Sequence, residues 1–351
     1  MRAAISALQR GRLRLLLRIL AISAAIGAAY GALLRAGHSI LISMLMGVVN
    51  GVVIAGAIGA IEIFLLREGT SMKRLMRLPF IAVVALKTLA YGAIVCLAIA
   101  GTPYLAVLLS GGIEPLPLEP RAALVTLGFS LATTVIFVIG LQAAGLVGRR
   151  TFRNLVLGRY RRPRVERRFF LFVDVVGSTA IAERLGALQA HQFLAAVFSA
   201  TAEPIAASNG EIYQYVGDEI VVTWTEAEGI PGARPLGCFF LMAAALLELR
   251  QQFREQFAAE PALRAALHLG EVIAGEVGEQ RRAIVYHGDV MNTASRLEQA
   301  TRELGVRFIA SDDALKALGP QPGMELKDLG ALSLRGRKEA IRAWGVELSR
   351  P

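Results

Sequence analysis

Four long apolar runs occupy the first part of this 351-residue chain, at positions 15–34, 39–66, 80–101 and 122–147. At 1.5 Å per helical residue, each is long enough to cross a hydrocarbon core about 30 Å thick. Each therefore reads as a membrane-spanning helix. A fifth apolar stretch, 104–113, is too short to span and contains the pair Gly111–Gly112, which predicts an external loop. No small-residue cleavage site follows the first run, and more runs come after it. It reads as an anchor rather than a removable leader.

Beyond residue 168 the pattern shortens. RFFLFVDVV is aromatic and β-branched with Asp174 near its end, the signature of a buried strand. GST at 177–179 opens a helix through Leu185, and a second helix is expected from about residue 189 to 208, ending at Asn209–Gly210. EIYQYVGDEIVVTW reads as a hairpin with Gly217–Asp218 at its tip. A helix at 235–255, strands at 263–268 and 271–275, and a helix from Asp289 to about Leu304 complete the reading. The predicted fold is an N-terminal all-α transmembrane bundle of four helices followed by an α+β domain of the ferredoxin-like, palm kind. The expected segments are 1–148 for the membrane domain, 149–168 for a basic linker and 169–351 for a catalytic domain.

Charge divides the chain in the same way. The net formal charge is +10, with residues 1–168 carrying an excess of 16 positive charges and the rest an excess of 6 negative ones. Because the surplus sits beside apolar runs, it gives no reason to expect a nucleic-acid partner. Arginines cluster before the first run, between the second and third, and after the fourth, where nine fall between Arg149 and Arg168. The positive-inside rule then places both termini and the C-terminal domain in the cytoplasm of a multi-pass protein of the inner (cell) membrane. The nine-arginine segment would also attract anionic lipid of the bilayer, and 151–160 predicts a short amphipathic helix on the membrane plane. Glu62 and Lys87 lie inside the second and third runs, near the same boundary. They either pair between helices or reach separately for water. Two cysteines, in opposite halves, exclude a disulfide scaffold, and four histidines without paired spacing give no His-rich metal centre.

The candidate chemistry is carboxylate chemistry. Asp174 near the end of a central strand and Asp218 on a neighbouring hairpin turn would converge in a palm-like sheet. Hard oxygen ligands of that kind select Mg²⁺ or Mn²⁺, and paired ions serve in-line displacement at phosphorus. Val175, Gly177, Ser178 and Thr179 pass from strand into helix, offering backbone N–H groups to a polyphosphate. Asn292 and Arg296, four apart on a helix, share a face. An amide and a guanidinium there could hold a ribose oxygen and stabilise a transferring phosphoryl group.

FVDVVGST, YQYVGDEI, GEVIAGEVG and GDVMNTASRLE, in this order and spacing, resemble the class III nucleotidyl cyclase domain over roughly residues 165–348. The resemblance implies conversion of a nucleoside triphosphate into a 3′,5′-cyclic monophosphate and pyrophosphate. It implies two Mg²⁺ or Mn²⁺ ions per site held by Asp174 and Asp218, and Asn292 and Arg296 acting on the transition state. It also implies Arg337, with Lys338 beside it, meeting the terminal phosphates. The family's sites form between two domains, which here implies a homodimer. Gln214 stands where adenylate-making members have a base-reading Lys, and Val285 where they have Asp or Thr. The usual guanine-selecting pair is absent as well, and the resemblance to bacterial single-domain members of the family implies ATP, with GTP as the alternative. A non-catalytic nucleotide-binding sensor and a cyclic-dinucleotide synthase are the rival readings.

Overall fold

The structure is a computed structural model describing residues 2–34, 40–62, 78–109, 120–280, 282–333 and 339–349. Its internal contacts divide it between Val147 and Gly148.

The first unit contains α1 (Arg2–Leu34), α2 (Ile40–Ala60), α3 (Phe80–Leu109) and α4 (Pro120–Val147). Each of the four is long and apolar enough to cross a membrane. One expectation changes: 104–109 continues α3 instead of forming a loop, because Leu, Ala and Val sustain a helix that Pro103 does not stop. Residues 110–113 lie outside the described residues. Glycines let α1 and α2 meet backbone to backbone, since a Cβ on Gly27 would overlap the Gly47 carbonyl. Small residues permit this approach where no hydrophobic effect drives helices together. Glu62 and Lys87 do pair, at 2.5 Å, and the Tyr91 hydroxyl donates to the same Glu62 oxygen at 2.6 Å. Lys87 is 6% exposed. Pairing, rather than separate access to water, lowers the cost of placing these charges among apolar helices.

The second unit begins with α5 (Arg149–Val156) and β1 (Arg164–Val175). Then come α6 (Ser178–Leu185), α7 (Ala187–Ala207), β2 (Glu211–Val216), β3 (Glu219–Thr225), α8 (Glu226–Gly229), α9 (Arg234–Glu248) and α10 (Arg250–Phe257). It closes with β4 (Leu263–Val277), β5 (Ala283–His287), α11 (Asp289–Leu304), β6 (Phe308–Ser311), α12 (Asp312–Leu318), β7 (Met324–Leu332) and β8 (Ile341–Leu348). The strands form one sheet in the order β2-β3-β1-β4-β6-β8-β7, with β5 paired to β4.

Side-chain alternation along β1 builds two layers. Phe169, Leu171, Val173 and Val175 face a large core with Phe193, Met242, Phe253, Phe257 and Leu315 from the helices of one side. Phe170 and Phe172 face the opposite side, where Val290 and Ala294 of α11 pack. Asp174 shares the parity of Phe170 and Phe172 and so belongs to the α11 face.

Three boundaries differ from expectation. The strands expected at 263–268 and 271–275 are one strand, β4, because Gly270 keeps its place in the ladder opposite Arg168. The helix expected at 235–255 is bent by 57° between α9 and α10. The 149–168 segment, expected as a linker, is folded into the second unit. Leu155 of α5 packs on the Phe170 layer, so part of this helix's apolar surface is used inside the domain. Arg150 pairs with Glu228 at 3.1 Å, and Thr151 donates to Glu211 at 3.2 Å. Arg168 is 1% exposed, and it binds Glu166 at 2.9 Å, Glu211 at 3.2 Å and Thr223 at 3.1 Å. Its guanidinium also lies over the Tyr286 ring, 4.7 Å from the centroid. A buried charge is tolerated only when satisfied on every side, as this one is.

Phe193 is fully buried and meets Phe253 and Phe257 edge to face, each at 5.5 Å. Phe193→Ala is expected to cost about 3–5 kcal/mol. Both tryptophans, Trp224 and Trp344, lie in this unit, so a lowered denaturant midpoint of tryptophan fluorescence in the detergent-solubilised chain measures that loss.

Candidate active site

Strand register brings the site together. Asp174 stands between Glu219 of β3 and Arg264 of β4. Asp218 is the second residue of a two-residue turn between Val216 and Glu219. Gly217, with φ +62°, takes the left-handed first position that such a hairpin requires. Because β3 neighbours β1, the turn tip meets the end of β1. The carboxyl groups of Asp174 and Asp218 lie within hydrogen-bonding range of one another.

Around them, Ser178 at the start of α6 donates its hydroxyl to Asp218. Arg264 donates to Asp174 and, at 2.9 Å, to Glu298 of α11. Arg302, one turn further along α11, donates to the same Asp174 oxygen at 3.0 Å.

Electrostatics separates the two aspartates. Burial, followed by the charge of Asp218, raises Asp174 above the usual carboxylate range despite Arg264. Burial also pushes Asp218 upward, but hydrogen bonds from Ser178 and Asp174 and the charge of Arg302 outweigh it and hold the group low. One site thus binds a proton more tightly and its neighbour less, as adjacent like charges do. Burial, then Glu298, Asp174 and Asp218, pushes Glu219 up to about 7. Glu298 is raised by burial and by Asp174. Four carboxylates thus gather about two guanidiniums, leaving surplus negative charge.

That donor set fits a divalent cation of the magnesium kind. Both candidate ligands are hard oxygens held side by side, and a dication would relieve their repulsion. Among the described residues no three His, Cys, Asp or Glu side chains form a cage. A site of two carboxylates suits Mg²⁺, which keeps waters or substrate phosphate oxygens as its other ligands.

The remaining sequence candidates fall in different places. Val175 still belongs to β1, opposite Leu263, and is buried. The open part of the expected phosphate loop is therefore Gly177–Thr179, where α6 begins with Gly177 as its cap. The N–H groups of that first helical turn have no intrahelical acceptor. Gln214 is exposed on β2, just past a register shift in its pairing with β3. Val285 is half-buried on β5, opposite Gly275. Asn292 is exposed and Arg296 half-buried on α11. Among the described residues, no hydrogen bond or ion pair joins either to Asp174 or Asp218. Arg337 and Lys338 lie outside the described residues.

Arg264, Arg302, Glu219 and Glu298 escaped the sequence reading. Glu298 and Arg302 carried one usable signal, an acid and a base four apart on a predicted helix. Arg264 had none, since only strand register puts it beside Asp174.

A sheet of this topology, with two acids brought together at the end of β1 and the β2–β3 turn, is of the palm kind. The profile described as "Adenylate and Guanylate cyclase catalytic domain" matches residues 162–347; the chain belongs to that family. Adenylate cyclase 2 of Rhizobium meliloti (strain 1021) is 36% identical over 213 residues, 61% of this chain and 59% of that protein. Guanylate cyclase 2G of Mus musculus is 30% identical over 178 residues, 49% of this chain and 16% of that protein. The chain thus spans about three-fifths of the first relative and a small part of the second. A bacterial light-regulated adenylyl cyclase aligns with TM-score 0.53 at 20% identity, over 65% of this chain and 66% of its own, a likeness of fold.

Glu219 gives a test of this electrostatic arrangement. Its folded pKa lies above the ordinary 4.5, so the folded state holds that proton more tightly than the unfolded state. Its contribution to stability is therefore lost as pH rises from about 4.5 through about 7. With chelator present, fluorescence-monitored unfolding at successive pH values should show this decline in the native chain. Glu219→Gln should flatten it across the same window.

Proposed function

We propose that this chain is a membrane-anchored adenylate cyclase that converts ATP to 3′,5′-cyclic AMP and pyrophosphate at sites shared by two copies. The observation carrying this reading is the meeting of Asp174 and Asp218 at neighbouring strand ends in a domain of the cyclase family. The two aspartates would hold two Mg²⁺ or Mn²⁺ ions. When bound, these would favour loss of the proton from the ribose 3′-hydroxyl and offset the charge on the triphosphate. Ser178 keeps Asp218 ionised and oriented for that duty, while Arg264 and Arg302 keep Asp174 in place. The free N–H groups at Gly177–Thr179 bind phosphate oxygens. Arg296 supplies positive charge to the α-phosphoryl group as the ribose 3′-oxygen attacks and pyrophosphate departs, and Asn292 holds the ribose. Arg337 and Lys338 neutralise the outgoing phosphates.

Two copies are supported by the placement of Asn292 and Arg296 on α11 without a bond to either aspartate of their own chain. A symmetric pair would give each copy's aspartates the other copy's Asn and Arg, making two equivalent sites. The four apolar helices anchor the enzyme, with the catalytic domain and both termini on the cytoplasmic side of the cell membrane. A regulatory influence of the membrane domain on turnover belongs to the same proposal.

Base choice has a second reading. Gln214 both donates and accepts hydrogen bonds and so suits either purine, while Val285 offers no polar group to an exocyclic amine. These two residues select neither purine, which keeps GTP or mixed use as the alternative, and one relative is a guanylate cyclase. Product identification from the purified full chain, given ATP and GTP in turn with Mg²⁺ or Mn²⁺, decides between them. Absence of pyrophosphate release with either nucleotide would leave the non-catalytic sensor.

Asp174→Ala and Arg296→Ala are each expected to reduce turnover at least about a hundredfold, as loss of preorganised charge does. Mixed in one dimer, the two variants should regain activity from a single composite site. Cross-linked mixed dimers that stay inactive would refute the shared geometry.

A further inference from the structure

The end of α5 presents two large apolar side chains that the fold does not use. Val156 is 67% exposed and Leu157 72% exposed, whereas Leu155 between them and the preceding turn packs on the Phe170 layer and Asn154 is 5% exposed. The helix therefore has a domain-facing side and a second, unpartnered apolar side. Arg153 is exposed and stands three and four positions before Val156 and Leu157, on the same helical face. The chain then turns back through Gly158, with Arg159 N–H donating to the Asn154 carbonyl at 2.9 Å. That turn brings Arg161 against the tip, its side chain lying about Gly158.

Charge compensation is uneven here. Arg150, Arg159, Arg167 and Arg168 have carboxylate partners in Glu228, Glu166, Glu226 and Glu166 with Glu211. Among the described residues, Arg153, Arg161, Arg162 and Arg164 have no such partner, and all four are exposed. An apolar tip flanked by the unpaired guanidiniums of Arg153 and Arg161 has the chemistry of an interfacial anchor: side chains for the acyl boundary, cations for anionic headgroups. Chain continuity names the surface. Nine residues, eight of them helical, separate Leu157 from Val147, the last residue of a helix long and apolar enough to cross a bilayer.

We propose that the α5 tip is a docking surface for an anionic lipid bilayer, with Val156 and Leu157 entering the headgroup–acyl boundary and Arg153 and Arg161 pairing with lipid phosphates. This rests on the reading of α1–α4 as membrane spans and adds a second, reversible attachment made by the catalytic unit itself. The attachment depends on lipid charge and ionic strength, which the spans do not.

The test uses the full chain carrying Cys96→Ser, reconstituted in nanodiscs of phosphatidylcholine with or without phosphatidylglycerol. Leu157→Cys bears an environment-sensitive fluorophore, and brominated lipid is the quencher. Ile136→Cys, 71% exposed on α4, reports insertion of a span, and Leu188→Cys, 72% exposed on α7, reports a surface free of lipid. The expected result is quenching at position 157 about twofold or more above that at position 188 in anionic discs, falling with added salt. Arg153→Gln with Arg161→Gln should abolish the difference. Quenching at 157 equal to that at 188, with 136 quenched, overturns the proposal while the spans stand. If 136 is also unquenched, the span reading falls with it. Protection of 157 that follows the number of chains per disc, and not lipid charge, assigns the tip to a second copy and likewise overturns the proposal.

Discussion

Two carboxylates held side by side dominate the second unit. Asp174 is 3% exposed and has Asp218 within hydrogen-bonding range. Such a pair repels itself, and the surroundings are arranged to bear the repulsion. Arg264 and Arg302 both donate to Asp174, and Ser178 donates to Asp218. These contacts draw on β4, α11 and α6, so the pair fixes how three elements meet around the end of β1. A polar cluster of this kind is costly unless every member is satisfied, and it is retained where a ligand of opposite charge is to be received.

The same rule operates elsewhere with a different outcome. Arg168 is sealed by Glu166, Glu211, Thr223 and the face of Tyr286. Glu62, Lys87 and Tyr91 close on one another inside the apolar helices. With Arg159 beside Glu166 counted in the first, both clusters have opposite charges in balance and read as structural ties between elements. Of these three clusters, the one around Asp174 has acids in excess. That imbalance, rather than burial or polarity, is what suits it to the cation and polyphosphate of the proposed function.

Much of this was legible from residue order. The four apolar runs and the hairpin around Gly217–Asp218 follow from length and local turn chemistry, which act within a few residues. Asp174 and Asp218 stood out because an acid at the end of an apolar strand and another at a hairpin tip are both unusual. Local pattern failed where a boundary depended on a distant partner. Leu269–Gly270 resembles a turn until β1 is laid beside it, and then it continues one strand. The arginines of 149–168 resemble a solvated linker until Arg168 is placed beneath Tyr286.

Sequence alone determined the long apolar runs, the charge asymmetry, most of the sheet-forming segments and the two acids that could bind metal. All of these depend on spacing along the chain. Tertiary structure alone decided that Arg264, Arg302 and Glu298 gather about Asp174, that α5 belongs to the catalytic unit, and that, among the described residues, Asn292 and Arg296 make no hydrogen bond or ion pair with their own chain's aspartates. Those facts depend on strand register and on which helix face meets the sheet. Packing sets both across separations of up to 128 residues, as between Arg302 and Asp174, beyond the reach of any periodicity.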